Sequence, residues 1–463
     1  MAGNPRVAVV GAGIAGLAAA DALAERFDVT VIELSDQVGG KLRSGHLDGT
    51  RIEEGAESFL VRRPEAVSLA EDLGLTVVHP ATASASVLID GRLRRLPKGT
   101  QLGVPGDLFD LARSRVLTVS QLSRIAMDRL WPKGELSADC SVGEVVSSRM
   151  GPAVVERLVD PLLGGVYAGR ADGISMAAAI PNLFAVMQTE KSLLAAAQSL
   201  HAGGASPDTP VFGSIEGGTQ HLAISLAERV VERGGEIVLS TPVVSLGRNG
   251  RRWSVGFGGS NHLFDAVVLA CPATPSGRLL AVMAPVATML LTDIEYASVA
   301  IINLVYDAVT VQPPAGSGYL VVEEPGRIVK AVTFVTSKWG SQDPTRFVLR
   351  ASVGRHGDTS ALALTDDELI ARVHTEVAPI AGLKAQPVAS RVSRWGGALP
   401  QYAPGHLQRV AAIRAGLPDG VVVAGAAFDG VGIPACIGSG VSAAREVLRH
   451  LTHERSGRQT QGA

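Results

Sequence analysis

The sequence predicts an α/β fold built on a parallel sheet, and three separated parts of the chain carry that prediction. Near the N-terminus, β-branched runs at 6–10 and 29–33 flank an alanine-rich helical pattern at 17–26, which makes a strand–helix–strand unit. Apolar strand patterns recur at 236–239, at 266–270 and at 421–425, the last followed by a helical pattern at 439–451. These strands are expected to form one discontinuous domain, with the segments between them as insertions.

Composition and length limit the class of protein. With 463 residues, 46% hydrophobic and 19% charged, the chain is globular and long enough for two or three domains. A net charge of −2 and 4% aromatic residues give no indication of nucleic-acid binding. Without about 18 uninterrupted apolar residues no transmembrane helix is predicted, although peripheral contact with a bilayer stays open. The predicted N-terminal strand leaves no room for a signal peptide. Because Cys140, Cys271 and Cys436 lie far apart in the sequence, we expect reduced thiols in a cytoplasmic protein.

The first candidate site is the glycine pattern Gly11-x-Gly13-x-x-Gly16 between the first strand and the first helix. The first glycine makes a tight turn, the second lets the backbone approach a pyrophosphate, and the third lets helix and strand pack closely. The helix N-terminus then offers free N–H groups and a positive dipole end. Glu33 ends the next strand, where an acidic side chain suits ribose hydroxyls. The pattern predicts a dinucleotide site of the Rossmann type.

Two further glycine-rich segments indicate whether the dinucleotide site binds FAD or NAD. Gly39 and Gly40 precede Lys41 and Arg43 just past the second strand, and this extension resembles the one found in flavoprotein oxidases. At the other end of the chain, the loop 424–434 leads into the last predicted helix, whose N-terminus would be a second site that favours an anion. Two such loops at opposite ends favour one large bipartite cofactor. We therefore predict FAD.

Longer motifs make the resemblance specific. They are GAESFL at 55–60, LPKGTQLGVP at 96–105, DPLLGGVYAGR at 160–170, EGGT at 216–219 and GVGIP at 430–434. Together they resemble the bacterial porphyrinogen oxidases of the flavin amine oxidase superfamily, most of all the Gram-positive type, over essentially the whole chain. That type is assigned to the oxidation of coproporphyrinogen III to coproporphyrin III.

The resemblance implies a domain organisation. An FAD-binding domain of the p-hydroxybenzoate hydroxylase or amine oxidase type is expected from 1–80, 205–290 and 405–455. A β-rich α+β substrate domain is expected from 81–104 and 291–404, and an inserted helical domain, open to membrane contact, from 105–204. Residues 456–463 are expected to be a disordered tail.

It also implies which residues contact the cofactor, from the ADP portion to the flavin ring. The expected set is Gly11, Ala12, Gly13, Ile14, Ala15, Gly16, Glu33, Leu34, Gly40, Lys41, Gly55, Ala56, Glu57, Ser58, Val243, Trp395, Val431, Gly432 and Ile433. Val243 is expected on a strand, touching the adenine end through its backbone. Val243 is explained nearly as well as an ordinary strand residue, and Trp395 nearly as well as an aromatic residue packed in the core.

The implied reaction asks little of the side chains, since the cofactor accepts the hydride and the protein orients the substrate. Three two-electron transfers would oxidise the porphyrinogen in heme biosynthesis, with molecular oxygen as acceptor and hand-over of the product to other heme-pathway enzymes. No catalytic side chain and no metal are expected. The propionates require cations beside an apolar slot, for which Arg62 and Arg63 are the main candidates, with Tyr167 and Arg170 as further pocket residues. A basic cluster at 92–98 is more simply a solvated hairpin face.

Several alternatives stay open at the level of sequence. Protoporphyrinogen IX oxidase would perform the same chemistry on a substrate with two propionates. A flavin amine oxidase would need a pair of aromatic residues around the amine, and the sequence offers no clear pair beside Phe428. A carotenoid desaturase matches the middle segments poorly. A Rab-escort-like binding protein would share the fold without using FAD, which Glu33 and the C-terminal loop argue against.

Overall fold

The computed structural model describes residues 4–130, 139–202, 210–340 and 343–461. Its strands, numbered in chain order, are β1 Arg6–Val10, β2 Asp28–Ile32, β3 Ser44–Leu47, β4 Thr50–Glu53, β5 Phe59–Leu60, β6 Val77–Val78, β7 Ala85–Ile89, β8 Arg92–Arg95, β9 Thr100–Gln101, β10 Val104–Pro105, β11 Phe212–Ile215, β12 Glu236–Val238, β13 Ser245–Asn249, β14 Arg252–Phe257, β15 Ser260–Phe264, β16 Ala266–Leu269, β17 Tyr296–Asp307, β18 Gly318–Val321, β19 Val329–Phe334, β20 Arg346–Val353, β21 Ala389–Pro400 and β22 Val421–Val423.

The α-helices are α1 Ile14–Ala24, α2 Pro64–Asp72, α3 Leu108–Ser114, α4 Val119–Met127, α5 Val142–Met150, α6 Pro152–Val154, α7 Asp160–Val166, α8 Met176–Ala179, α9 Pro181–Met187, α10 Leu193–Ala202, α11 Thr219–Glu232, α12 Ala273–Leu280, α13 Pro285–Thr292, α14 Val335–Trp339, α15 Asp366–Ala381, α16 His406–Ala415 and α17 Ile433–Gln461. A π-helical turn, Val155–Val159, joins α6 to α7.

A five-stranded parallel sheet in the order β12-β2-β1-β16-β22 confirms the predicted discontinuous Rossmann-like fold. Its strands come from the beginning, the middle and the end of the chain, and the central strand β1 pairs Val9 with Val31 on one side and with Val268 on the other. Helices α1, α11 and α17 cover one face with an apolar core. The antiparallel sheet β13-β14-β15 and helices α12, α13 and α16 cover the other. Burial on both faces explains why these strands are nearly continuous runs of valine, alanine and isoleucine.

A second, seven-stranded sheet has the order β21-β17-β20-β19-β18-β7-β8 and is antiparallel except between β18 and β7. Helix α15 packs its apolar stripe on one face of this sheet. A capping box starts α15, in which the Thr365 and Glu368 side chains each accept the other's backbone N–H. Asp90 and Gly91, both at positive φ, form the turn of the hairpin between β7 and β8.

Helices α3 to α10 lie between β10 and β11 and build a hydrophobic core of their own. They match the predicted helical pattern between 105 and 204, although 131–138 and 203–204 lie outside the described residues. The borders of the three domains stay predictions. No helix within the described ranges is long and apolar enough to cross a membrane.

Two predictions about the last helix were wrong. Helix α17 begins at Ile433, not at 439, since Pro434 is well suited to the first turn of a helix, where its missing N–H needs no partner. The helix also continues to Gln461, so the predicted disordered tail 456–463 is helical as far as 461, and the last two residues lie outside the described ones. Extending a helix that packing has already nucleated adds one hydrogen bond per residue.

Candidate dinucleotide and substrate site

The turn between β1 and α1 depends on two glycines. Gly11 has φ +107° and donates its N–H to Ile32 O at 2.8 Å, and a Cβ on it would lie 3.1 Å from Ala270 O. A Cβ on Gly16 would lie 2.0 Å from Gly11 O, a distance that atoms cannot adopt without displacing the backbone. The positive φ and the close approach are the two properties for which the motif needs glycine.

The middle glycine leaves open space. Gly13 is the N-cap residue of α1 with an ordinary φ of −67°, and no heavy atom beyond its chain neighbours lies within 4 Å of a Cβ built on it. No side chain caps the helix there. Ala12, Ile14 and Ala15 are buried, so this turn presents mainly backbone. An uncapped helix N-terminus beside open space fits a diphosphate.

Glu33 is fixed immediately beyond β2, next to this turn. Its Oε2 accepts the Ala12 N–H at 2.7 Å, and its Oε1 accepts the Ser35 N–H at 2.8 Å. The side chain of the adjacent Leu34 is 71% exposed. The Glu33 carboxylate is therefore held at the position that the glycine motif predicts for a group that binds a ribose.

Val243 lies near Glu33 but not on a strand. Thr241 N–H donates to Glu33 O at 2.8 Å, which draws this stretch against the end of β2. The half-buried Val243 then packs against the apolar core on that side of the sheet. The predicted strand is wrong because 241–244 form the link between β12 and β13, and Pro242 has no N–H for a ladder.

The segment after β2 crosses the segment after β4 at Lys41 and Gly55. Ala56 N–H donates to Lys41 O at 2.9 Å, and a Cβ on Gly55 would lie 2.0 Å from that oxygen. The same Cβ would lie 3.4 Å from Cζ2 of Trp395, whose Nε1 donates to Glu54 O at 2.7 Å. The structure thus brings Lys41, Gly55 and Trp395 together, and burial lowers the pKa of Lys41. Gly40 lies beside Gly13, with its Cβ position 3.3 Å from Gly13 Cα.

The Glu57 carboxylate is occupied within the protein. Its Oε1 lies 2.5 Å from Lys338 Nζ and its Oε2 lies 3.1 Å from Arg350 Nη1. Burial alone would raise the pKa of Glu57, but the charges and hydrogen bonds of Lys338 and Arg350 outweigh burial and lower it. Arg350 also donates to the carbonyl oxygen of Gly55. Glu57 therefore braces the loop 55–58, which includes the half-buried Ser58, instead of offering a free carboxylate.

Sequence reasoning missed the two cations that hold this loop. Arg350 interrupts the apolar run in the middle of β20, and that interruption was the available signal. Lys338 belongs to the short helix α14 and is separated from Glu57 by 281 residues, so no local pattern connects them.

The C-terminal glycine-rich loop meets the N-terminal one. A Cβ on Gly425 would lie 3.9 Å from Ala15 Cβ, and a Cβ on Gly440 of α17 would lie 2.1 Å from Ala15 O. The Ser439 hydroxyl accepts the Gly425 N–H at 3.0 Å and donates to Asp429 at 2.5 Å. This loop continues into α17 through the half-buried Val431, the exposed Gly432 and the buried Ile433. The two loops predicted to share one cofactor therefore lie next to each other.

The four substrate candidates separate into two places. Arg63 lies near the C-terminal loop, with Nη1 3.8 Å from the Cβ position of Gly430, and it pairs with Glu65 at 2.7 Å. Arg62 is exposed beside it. Arg170 and Tyr167 follow the C-terminal end of α7, and Tyr167 reaches the same loop through Tyr402, whose hydroxyl accepts the Gly430 N–H.

Of these two, Arg170 pairs with Glu323 at 2.6 Å while remaining 46% exposed. Tyr167 is 5% exposed, its ring centroid lies 5.5 Å from that of Tyr402, and burial raises its pKa to about 12. The two tyrosines meet at an interplanar angle of 57° and are both buried, so they do not form an open aromatic cage. Among the described residues, no group of three or more His, Cys, Asp or Glu side chains is arranged to hold a metal ion.

The parallel sheet, the open helix N-terminus at Gly13, the fixed Glu33 carboxylate and the second loop at 424–433 together define an FAD-binding fold. The family described as flavin containing amine oxidoreductase matches residues 14–448, and the chain belongs to this family. The cofactor is FAD.

Relatives with curated names cover nearly the whole chain. A coproporphyrinogen III oxidase of Mycobacterium tuberculosis is 36% identical over 96% of this chain and 97% of its own length. One of Bacillus subtilis is 31% identical over 97% and 99%. A human protoporphyrinogen oxidase is 29% identical over 96% and 98%. A crystal structure from Exiguobacterium sp. 255-15 has a TM-score of 0.85 and 31% identity, covering 96% of this chain and 98% of its own.

Proposed function

We propose that this protein is an FAD-dependent enzyme of heme biosynthesis that oxidises coproporphyrinogen III to coproporphyrin III. The observation that carries this proposal is the near-complete coverage by relatives named for that reaction, on a fold whose two glycine-rich loops meet at one site. The human relative, which is named for the two-propionate substrate, has lower identity than these two. The first two relatives therefore favour the four-propionate substrate.

The cofactor supplies the hydride acceptor when bound, and the chain supplies binding and orientation. The uncapped N–H groups at the start of α1 would hold the diphosphate, and the Glu33 carboxylate would exchange its contact with Ala12 for the ribose hydroxyls. Trp395 and the loop 431–433 would pack against the flavin ring. The brace of Glu57, Lys338 and Arg350 would fix the backbone of 55–58, which is proposed to line the cofactor site.

For the propionates, we favour Arg63 over Arg170. Arg63 lies beside the C-terminal loop, and a propionate could replace its partner Glu65 at the 45%-exposed guanidinium. Arg62 adds an exposed cation next to it. Arg170 is paired with Glu323 in the same way, so the preference for Arg63 rests on its position beside the C-terminal loop. Tyr167 would form part of the apolar wall of the substrate slot.

Molecular oxygen is our proposed electron acceptor. Removing six electrons and six hydrogens from the porphyrinogen in three steps would reduce three molecules of oxygen to hydrogen peroxide. Hand-over of the product to another enzyme of the pathway follows from the poor solubility of porphyrins, and it is part of the proposal.

Peripheral membrane contact is also proposed, through the first helices of the helical region. Large apolar side chains there are strongly exposed and lie among arginines, as at an amphipathic surface that rests on anionic lipid. The apolar residues are Phe109, Val119, Met127 and Leu130, at 72%, 81%, 48% and 85% exposure. The arginines are Arg113, Arg115, Arg124 and Arg129.

The proposal is tested on the purified protein by its visible spectrum, by porphyrin fluorescence and by oxygen uptake. Flavin absorption bands are expected, with faster oxidation of coproporphyrinogen III than of protoporphyrinogen IX and one peroxide formed per oxygen consumed. Preference for protoporphyrinogen IX would reassign the substrate. Flavin bands without oxidation of either compound above the spontaneous rate would refute the porphyrinogen oxidase activity and leave only the family assignment. Sedimentation with vesicles of anionic lipid tests the membrane contact separately.

A further inference from the structure

Tyr402 links three parts of the molecule that are distant in sequence. Its hydroxyl donates to Ala426 O at 2.5 Å and accepts the Gly430 N–H at 2.8 Å. Both partners belong to the C-terminal glycine-rich loop, on either side of Asp429. A single side-chain group therefore satisfies two backbone groups of the segment proposed to face the flavin.

The ring of Tyr402 is held on both sides. Its centroid lies 4.0 Å from that of His406, with the planes 13° apart, and 5.5 Å from that of Tyr167. Tyr402 is 2% exposed and His406 is 0% exposed. Packing of this kind leaves the ring little freedom to rotate, so the hydroxyl has a defined position.

The backbone around Tyr402 is fixed to the helical region. Its carbonyl oxygen accepts the Ser175 N–H at 2.6 Å, and the adjacent Gln401 donates its side-chain amide to Tyr167 O at 2.8 Å. Gly405 N–H donates to Asp139 at 2.7 Å. The segment 401–406 is thus a rigid support between the helical region and the loop.

We propose that Tyr402 is a positioning residue that holds the loop 426–430 in its FAD-binding geometry and connects it to the Tyr167 side of the substrate slot. This inference deepens the proposed function, because it concerns the same site, but it depends on the flavin alone and not on the porphyrinogen. Phenylalanine at this position would keep the stacked ring and leave the Gly430 N–H and the Ala426 carbonyl without their partner. The loop would then sample other conformations, and only part of the population would be ready to bind FAD.

The chain offers a matched control in Tyr306. It is 0% exposed, its hydroxyl lies 2.9 Å from His374 Nδ1, and its ring stacks with that of His374 at 5.9 Å. This second tyrosine–histidine pair lies in the seven-stranded sheet, and its hydroxyl contacts no part of the loop 424–433 among the bonds of the described residues. Tyr306→Phe therefore removes a buried hydroxyl without touching the proposed support.

The test measures the rate at which bound FAD leaves the diluted holoprotein, which is monitored by the rise in fluorescence of free flavin. The shape of the flavin absorption bands and the melting temperature are measured on the same proteins. Tyr402→Phe is expected to release FAD about tenfold faster and to alter the band shape, and Tyr306→Phe to match the wild type in both while losing a comparable amount of thermal stability. Wild-type release and spectrum in Tyr402→Phe would overturn the inference. Equal acceleration in both variants would also overturn it, because loss of general stability would then explain the effect.

If Tyr402→Phe yields no folded holoprotein, His406→Ala takes its place, since it keeps the hydroxyl but removes the ring that supports Tyr402. About threefold faster release is expected, and unchanged release would overturn the inference. None of these measurements uses a porphyrinogen. A wild-type holoprotein that oxidises neither porphyrinogen would contradict the proposed function and leave this test unaffected.

Discussion

Gly13→Ala tests whether Gly13 is needed for binding the cofactor and not for folding of the protein. In the protein without cofactor, the added methyl group meets no heavy atom within 4 Å, and φ is −67°, which alanine adopts readily. Alanine is a poorer N-cap than glycine by about 0.5–1 kcal/mol, while the loss of freedom in the unfolded chain contributes about 0.4–1 kcal/mol in the opposite direction. The free energy of unfolding of the apoprotein is therefore expected to change by less than about 1 kcal/mol.

The same methyl group would occupy the space that the pyrophosphate needs. We expect the dissociation constant for FAD to rise by about 30-fold or more, which corresponds to about 2 kcal/mol. The measurement is a titration of apoprotein with FAD, followed by flavin fluorescence quenching, next to urea unfolding of the apoprotein. Gly247→Ala is the control, because a Cβ there also meets nothing within 4 Å, on strand β13 away from the turn.

Gly16→Ala gives the opposite pattern. Its Cβ would lie 2.0 Å from Gly11 O, so α1 must move off the strand and the apoprotein itself is destabilised. If Gly13→Ala binds FAD as the wild type does, the open N-terminus of α1 is not the diphosphate site. If it destabilises the apoprotein as strongly as Gly16→Ala, the argument from open space is wrong.

Three other perturbations have defined outcomes. Glu57→Gln leaves Lys338 and Arg350 without their buried counter-charge, and urea unfolding should show a loss of about 3–5 kcal/mol, whereas a loss below 1 kcal/mol would contradict the brace. Burial raises the pKa of Glu53 to about 7, so ionisation of this carboxyl costs stability as pH rises from about 4.5 to 7, and the stability of Glu53→Gln relative to the wild type should increase over that range; a constant difference between the two proteins would count against it. Arg63→Gln should raise KM for coproporphyrinogen III about tenfold at unchanged FAD affinity, and the same KM would move the propionate site elsewhere.

Much of the nucleotide-binding half could be predicted because its signals are local. The turn at Gly11 to Gly16 needs a positive φ and close backbone approach, and the residues that provide them are neighbours in the chain. Strand and helix periodicities around it span about 30 residues and need no distant partner to be recognised. The parallel sheet and its discontinuous origin followed from the same patterns, repeated at the middle and the end of the chain.

Other features depended on packing between distant segments. The brace of Glu57 joins residues 281 apart, and nothing near Lys338 in the sequence points to a carboxylate. Sequence spacing also did not show that Arg63 lies beside the C-terminal loop, that Tyr167 reaches the same loop through Tyr402, or that Arg170 is paired with Glu323.

The sequence by itself determined the dinucleotide turn, the cofactor class and the family, since these rest on short-range backbone geometry and on motifs that are continuous in the chain. Only the tertiary structure decided which charges are free, which are neutralised and what holds the flavin-facing loop. Tyr402 illustrates the reason: its hydroxyl bonds to Ala426 and Gly430 exist only because His406 and Tyr167 fix the ring between two regions of the fold. A charge or hydroxyl is satisfied by whatever packing places within about 3 Å of it, and that distance is not encoded in sequence spacing.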